Sequence, residues 1–186
     1  MCQSKLASKI KLIQKDRFFC YNERTMATKQ FSTQDVLRLL FAIVLCESAG
    51  ILGTFSTMKE IPTWYAGLVK PFLNPPSWVF GPVWTLLYAL MGVSAFLIYK
   101  QGKNASTALQ LFGVQLVLNA VWTPIFFGWH RLDIALFVIV LMWAAIFATI
   151  RAFSKFSKTA AYLLVPYLFW VTFATYLNMS LWLLNR

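Results

Sequence analysis

The stretch KPFLNPPSWVFGPVWTLLYALMG (residues 70–92) begins as an awkward loop and ends as an apolar helix. Pro71, Pro75, Pro76 and Pro82, with Trp78 and Trp84, crowd its first fifteen residues. Proline fixes φ and removes a backbone donor, so a segment that only had to cross a bilayer would not carry four of them. The stretch therefore divides. Residues 70–76 read as stiff loop, with Pro75 and Pro76 restricting the turn. Ser77 stands at an N-cap position, and a helix follows from Trp78. On that helix Trp84, Tyr88 and Gly92 recur every four residues, on one face.

The rest of the chain has the composition to match. Of 186 residues, 59% are hydrophobic and only 12% charged, with mean hydropathy +0.63. A soluble domain carries about a quarter charged residues, so water is not the main solvent of this molecule. The length suits one domain. Five apolar runs, near 36–55, 78–99, 107–128, 134–153 and 159–184, each reach the ~20 residues that a bilayer-crossing helix needs. They are continuous rather than alternating, which favours helices over a barrel. The fold class expected is an all-α membrane bundle of five transmembrane helices, residues 31–186, with an extramembrane loop between the first two. No internal repeat is visible, which weakens an inverted-repeat transporter.

The net charge of +11 does not indicate nucleic acid. Basic residues lie in the N-terminal tail and at the ends of the apolar runs, where lipid headgroups would meet them. Thirteen Lys and Arg fall on the side of the N-terminus against four on the other. The positive-inside rule then puts the N-terminus in the cytoplasm and the first loop outside. Residues 1–30 hold seven basic and two acidic residues, with Leu6, Ile10 and Ile13 on one side of a helix. An arm on anionic lipid, a targeting presequence and a mis-assigned start upstream of Met26 are three readings of it. Asp16, Glu23 and the scarcity of Arg and Ser count against a presequence, so the tail is read as accessory or mis-assigned.

Most catalytic chemistry lacks material. Cys2, Cys20 and Cys46 have no metal or disulfide spacing, and Cys46 lies in an apolar run as a small hydrophobe. His130, the single histidine, sits beside Arg131 at a membrane boundary, so no metal site is expected. Among the six acids, Asp35 and Asp133 begin helices, where their charge suits the dipole. Only Glu47 lies plainly inside an apolar run. An intramembrane carboxylate is a functional candidate, though a lumen-facing or packing role is an equal reading. No nucleophile–base pair or paired carboxylates emerge, which argues against hydrolysis.

Aromatics are the abundant resource, at 17% of residues with eight Trp. Trp64, Trp78, Trp129 and Trp182 suit interface belts, whereas Trp84, Trp122, Trp143 and Trp170 fall within spans. Gln115, Asn119, Trp122 and Phe126 share one helical face, and so do Pro166, Trp170, Phe173 and Ala174. Asn and Gln in hydrocarbon need a partner. One such stripe is ordinary core packing; three, with the small residues Gly92 and Ala174 among them, suggest a cavity for a large, flat, apolar molecule.

The same residues carry a family resemblance. WYAGLVKPFLNPPSWVFGPVWTLLYALMG (residues 64–92), QLVLNAVWTPIFFG (115–128) and VPYLFWVTFATYLN (165–178) resemble the signature of the TspO/translocator protein family, the tryptophan-rich sensory proteins or peripheral benzodiazepine receptors. The resemblance covers about residues 36–185. It implies a five-helix bundle, commonly a homodimer, whose first loop folds over an internal pocket that binds porphyrins such as protoporphyrin IX. By alignment of motifs it implies ligand-binding roles for Trp84, Tyr88, Asn119, Trp122, Trp170, Phe173 and Ala174. It gives a lid role to Trp64, Pro75 and Pro76, and leaves Glu47 and Gln115 as further intramembrane polar candidates. No cofactor is required, the porphyrin being ligand. Animal members also carry a sterol motif, Leu/Val–Tyr–Lys/Arg, at the end of the fifth helix. Here Met179 and Leu183 stand where its Tyr and Arg would fall, and LMW at Leu141–Trp143 has a bacterial look.

The function expected is a porphyrin receptor or sensor in a bacterial cell membrane, with mitochondrial and outer membranes as alternatives. Porphyrin propionates would meet Lys59, Lys70 or solvent at the pocket mouth. The competing expectations are a tetrapyrrole transporter, with Glu47 as coupling residue, and light-dependent porphyrin degradation using Trp84 and Trp170.

Overall fold

The computed structural model describes residues 32–186, and every regular element among them is helical. The basic tail, residues 1–30, lies outside them. Seven helices appear: α1 (Thr33–Glu60), α2 (Trp64–Gly67), α3 (Phe80–Tyr99), α4 (Ser106–Thr123), α5 (Leu132–Ser154), α6 (Lys158–Leu163) and α7 (Val165–Leu184). With the short turns that extend them they give five spans long and apolar enough to cross a membrane: Thr33–Glu60, Ser77–Tyr99, Lys103–Gly128, Leu132–Ser154 and Lys158–Leu184. The protein is an integral multi-pass membrane protein. Outward residues such as Phe55, Leu86 and Phe169 are mostly exposed, as lipid-facing side chains are.

Local chemistry sets the helix ends. Ser32 caps α1: its hydroxyl accepts from Gln34 N–H (3.3 Å), while Ser32 N–H donates to Asp35 Oδ2 (3.4 Å), a reciprocal cap. Asp35 thus has the capping role its sequence position indicates. α1 runs five residues beyond the expected end at Phe55, so the first loop is shorter than the composition implied. Thr57 and Thr63 donate back to Gly53 and Lys59 carbonyls at 2.8 and 2.7 Å.

Proline explains three departures from plain helix. Ser77 does not cap α3 with its side chain; Pro76 holds extended backbone (φ −56°, ψ 142°) and a tight Ser77–Val79 turn leads in. Pro124 follows α4, and the chain widens into a π-type turn over Pro124–Gly128, with Trp129 N–H donating to Pro124 O at 2.9 Å. The last span, expected unbroken, is interrupted at Leu164. Pro166 has no N–H for the Tyr162 carbonyl one turn back. Ser157 caps α6 by accepting from Ala160 N–H (3.2 Å).

α3 to α7 surround a core that includes Met91, Ile98, Met142, Ile146, Phe153, Tyr167 and Val171, all fully buried. Ser94 donates to the Ala160 carbonyl at 2.7 Å, joining α3 to α6. α1 is held differently. Only 17% of its most apolar window is buried, against 28% to 44% in the other spans. It touches the bundle at glycines: Gly92 lies against Ile43, Gly50 against Tyr88 and Gly53 against Thr123. Small residues permit such close backbone approach, the main device of helix packing in lipid.

Candidate functional site

Where α1 stands off, a cavity of about 420 Å³ opens between α1, α3, the end of α4 and α7. That is within the range of small-molecule sites, ~300–1,000 Å³. Ile51, Met58 and Trp78 line it and are also well exposed, so it opens outward between α1 and the start of α3.

Nine of its 25 described lining residues are aromatic. Trp84 stacks on Tyr88, with centroids 5.5 Å apart at 27°, and meets the buried Tyr167 edge-on at 6.2 Å. The Tyr88 hydroxyl donates to Asn119 Oδ1, and Asn119 Nδ2 donates to the Tyr167 hydroxyl at 3.1 Å. One amide thereby locks two tyrosines. Trp122 packs on Phe126 (4.9 Å) and donates from Nε1 to Asn178 Oδ1 (3.2 Å), while Asn178 Nδ2 donates to the Leu132 carbonyl (2.9 Å). Trp170 has its ring edge against Phe80 at 5.9 Å. Its Nε1 is buried and has no hydrogen-bond partner among the described residues.

The loop closes one end. Tyr65 of α2 lines the cavity and donates from its hydroxyl to Asn74 Oδ1 at 2.8 Å. Burial pushes the Tyr65 hydroxyl above its ordinary value, with the Asn74 bond opposing, so it is neutral at physiological pH. Asn185, past the end of α7, grips the loop at both polar groups of Val69. Val69 N–H donates to Oδ1 (2.9 Å) and Nδ2 donates to the Val69 carbonyl (3.0 Å).

Of the residues singled out in the sequence, Trp84, Tyr88, Trp122, Trp170, Ala174 and Glu47 come together on the cavity wall. Asn119 does not line it; it is buried behind Tyr88, its amide engaged by the two tyrosines. Phe173 faces an outer groove with Pro166 and Phe169, because three residues from Trp170 carries it around α7. Gln115 is buried away from the cavity, its amide without a partner among the described residues. Trp64 is outside the lining and stacks on His130 at 4.2 Å, while His130 Nε2 lies 3.0 Å from Glu60 Oε2. Pro75 and Pro76 are likewise outside the lining and shape the approach to α3. Neither Lys59 nor Lys70 lines the cavity; the Lys70 ammonium donates to the Ala66 and Leu68 carbonyls.

Beyond Glu47, sequence reasoning missed the α1 wall, Gly50, Thr54, Thr57 and Met58, and the loop residue Tyr65. The glycine pair Gly50 and Gly53 was the available signal for α1. Among the described residues no cluster of His, Cys, Asp or Glu could hold a metal ion. The cavity is suited to stacking, dispersion and a few hydrogen bonds.

Comparison with known proteins agrees with this architecture. A model of the TspO/MBR family matches residues 42–183. The chain is 43% identical to Tryptophan-rich protein TspO of Chlorobaculum tepidum over 155 residues, 82% of this chain and 98% of that one. It is 40% identical to Protein CrtK of Rhodobacter capsulatus over 78% of this chain and 92% of that protein. It is 45% identical to the human Translocator protein over 64% of this chain and 73% of that one. Five spans, the proline-rich approach to α3 and this match over most of its length establish that the chain belongs to the TspO/MBR family.

Proposed function

We propose that the protein is a membrane receptor or sensor that binds a flat hydrophobic ligand, a porphyrin such as protoporphyrin IX, in the cavity between α1, α3, α4 and α7. The observation that carries this reading is the wall itself: Trp84 stacked on Tyr88, with Trp122 and Trp170 also on the lining. Flat rings gain from aromatic faces. The working form is a homodimer in a bacterial cell membrane, its N-terminus cytoplasmic by the distribution of Lys and Arg. Titrating purified protein with protoporphyrin IX should quench tryptophan fluorescence saturably. Undiminished quenching in the Trp84→Ala, Trp170→Ala double variant would remove the site from consideration.

A second reading has one specific observation behind it. Trp84 and Trp170, both on the cavity lining, can relay an electron. The indole reduces the photoexcited bound porphyrin, and oxygen takes that electron to give superoxide. The indole radical then takes one back from the porphyrin, whose ring is thereby oxidised. Illumination in air should then yield a product that disappears when either tryptophan is replaced by phenylalanine. Equal bleaching without protein would end this reading.

A further inference from the structure

We propose that Glu47 is the charge selector of the cavity, which takes flat lipophiles bearing a protonated nitrogen in preference to those bearing an acid. The proposal rests on the reading that this cavity is the ligand site, and it adds which ligand chemistry the site favours.

Glu47 lies midway along the 28 residues of α1, about 20 Å from either end at 1.5 Å per residue. A glutamate side chain cannot reach headgroups over that distance, unlike a long cation near a helix end. Among the described residues it makes no hydrogen bond and no ion pair. It lines the cavity, and among the described residues it is the only charged one that does, with no Lys, Arg or His on the wall. Gly50, three residues on and on the same face of α1, lets the Tyr88 ring press against this helix. The Tyr88 ring, stacked on Trp84, therefore lies against the helix that carries Glu47, and both rings share the cavity wall with the carboxylate. A carboxylate beside aromatic faces is the chemistry that recognises an organic cation, the rings adding attraction of the same sign. The same field opposes an anion. A dicarboxylate such as protoporphyrin IX accordingly binds with its acid groups turned to the open side between α1 and α3.

Three tricyclic probes of similar shape separate charge from shape: aminoacridinium (cation), acridone (neutral) and anthracenecarboxylate (anion). Each is titrated against the full chain in lipid nanodiscs, with empty nanodiscs as the partition blank. The wild type is expected to bind the cation about tenfold or more tighter than the anion, the scale of one charge-assisted contact. Glu47→Gln should lower cation affinity by about tenfold, raise that of the anion and leave acridone unchanged. Glu47→Asp should keep the wild-type order. An unchanged order in Glu47→Gln, or an equal loss for all three probes, overturns the proposal, the second by showing that Glu47 acts through folding. Protoporphyrin IX is titrated in parallel. Its failure to bind the wild type would end the porphyrin reading alone, because the ranking of the three probes does not depend on it.

Discussion

Replacing Gly92 by alanine tests how α1 is held. A Cβ at position 92 would stand 2.5 Å from Ile43 Cα and 2.8 Å from Ile43 N. Carbon atoms sit comfortably at ~3.5–4.0 Å, so the two helices must part by about 1 Å there. The obstacle is backbone, and no rotamer change can relieve it. Overpacking of this kind costs about 1–3 kcal/mol. At ~2–4 °C per kcal/mol for a chain of this size, the melting midpoint in detergent should fall by roughly 2–12 °C. Gly113→Ala is the control, because nothing lies within 4 Å of a Cβ there. Relief of glycine's helix penalty, ~1 kcal/mol, should leave that variant unchanged or slightly more stable.

The two variants also separate stability from function. Glu47, Gly50 and Ile51 lie one to two turns beyond Ile43 and line the cavity. A shift of α1 at Ile43 should therefore weaken protoporphyrin IX binding in Gly92→Ala and not in Gly113→Ala. If Gly92→Ala melts with the control, the close approach of α1 and α3 is wrong. If it melts lower yet binds like wild type, α1 does not shape the cavity.

Three further changes probe the cavity's frame. Asn119→Leu removes the common partner of Tyr88 and Tyr167, and each buried hydroxyl left unpaired should cost about 1–3 kcal/mol; a melting midpoint equal to wild type would refute the bridge. Asn185→Ala removes both hydrogen bonds at Val69, so hydrogen exchange at the Val69 amide should quicken while the core amides keep their protection. Tyr65 is held neutral by burial, its hydroxyl raised above the ordinary value near 10. Closure of the loop should be unaffected by pH at neutrality. It should weaken as pH climbs above ~10, where the freed side chain loses its proton first and the open state binds fewer protons. Tyr65→Phe should abolish that alkaline loss as read by tyrosinate absorbance and by hydrogen exchange in α2, and persistence of the same loss would assign it elsewhere.

The spans were legible because lipid leaves a coarse mark: runs of ~20 apolar residues with charges at their ends. What the aromatic periodicity could not tell apart were two kinds of inward face. Trp84 and Tyr88, four apart, both reach the cavity. Asn119 shares a stripe with Trp122 yet turns into the seam between helices, where two tyrosines engage it. Trp170 is wide enough to wall both the cavity and the outer groove, so the three-residue step to Phe173 leaves the cavity and the four-residue step to Ala174 stays in it. The α1 wall had no aromatic stripe, only Glu47 and the pair Gly50 and Gly53. Its other lining residues are threonines, Ile51 and Met58, types that suit any lipid-crossing helix. Tyr65 reaches the cavity from a loop that folds back and is pinned at Val69 by Asn185, 116 positions beyond Val69, a pairing no local pattern encodes.

The looseness of α1 and the presence of the cavity are one fact. The other helices bury their inward faces against each other, whereas α1 meets the bundle through small residues, Cys46, Ala49, Gly50 and Gly53 with Gly92 opposite, and from Glu47 to Met58 also lines the cavity. An occupant supplies the contacts that α1 lacks. Ligand binding should thus raise the melting midpoint by mass action and protect the amides of α1 more than those of α5, which is already packed. The two effects share a cause, so they should shrink together in Gly92→Ala. A ligand that stabilised all helices alike, with no preference for α1, would have to bind somewhere other than this cavity.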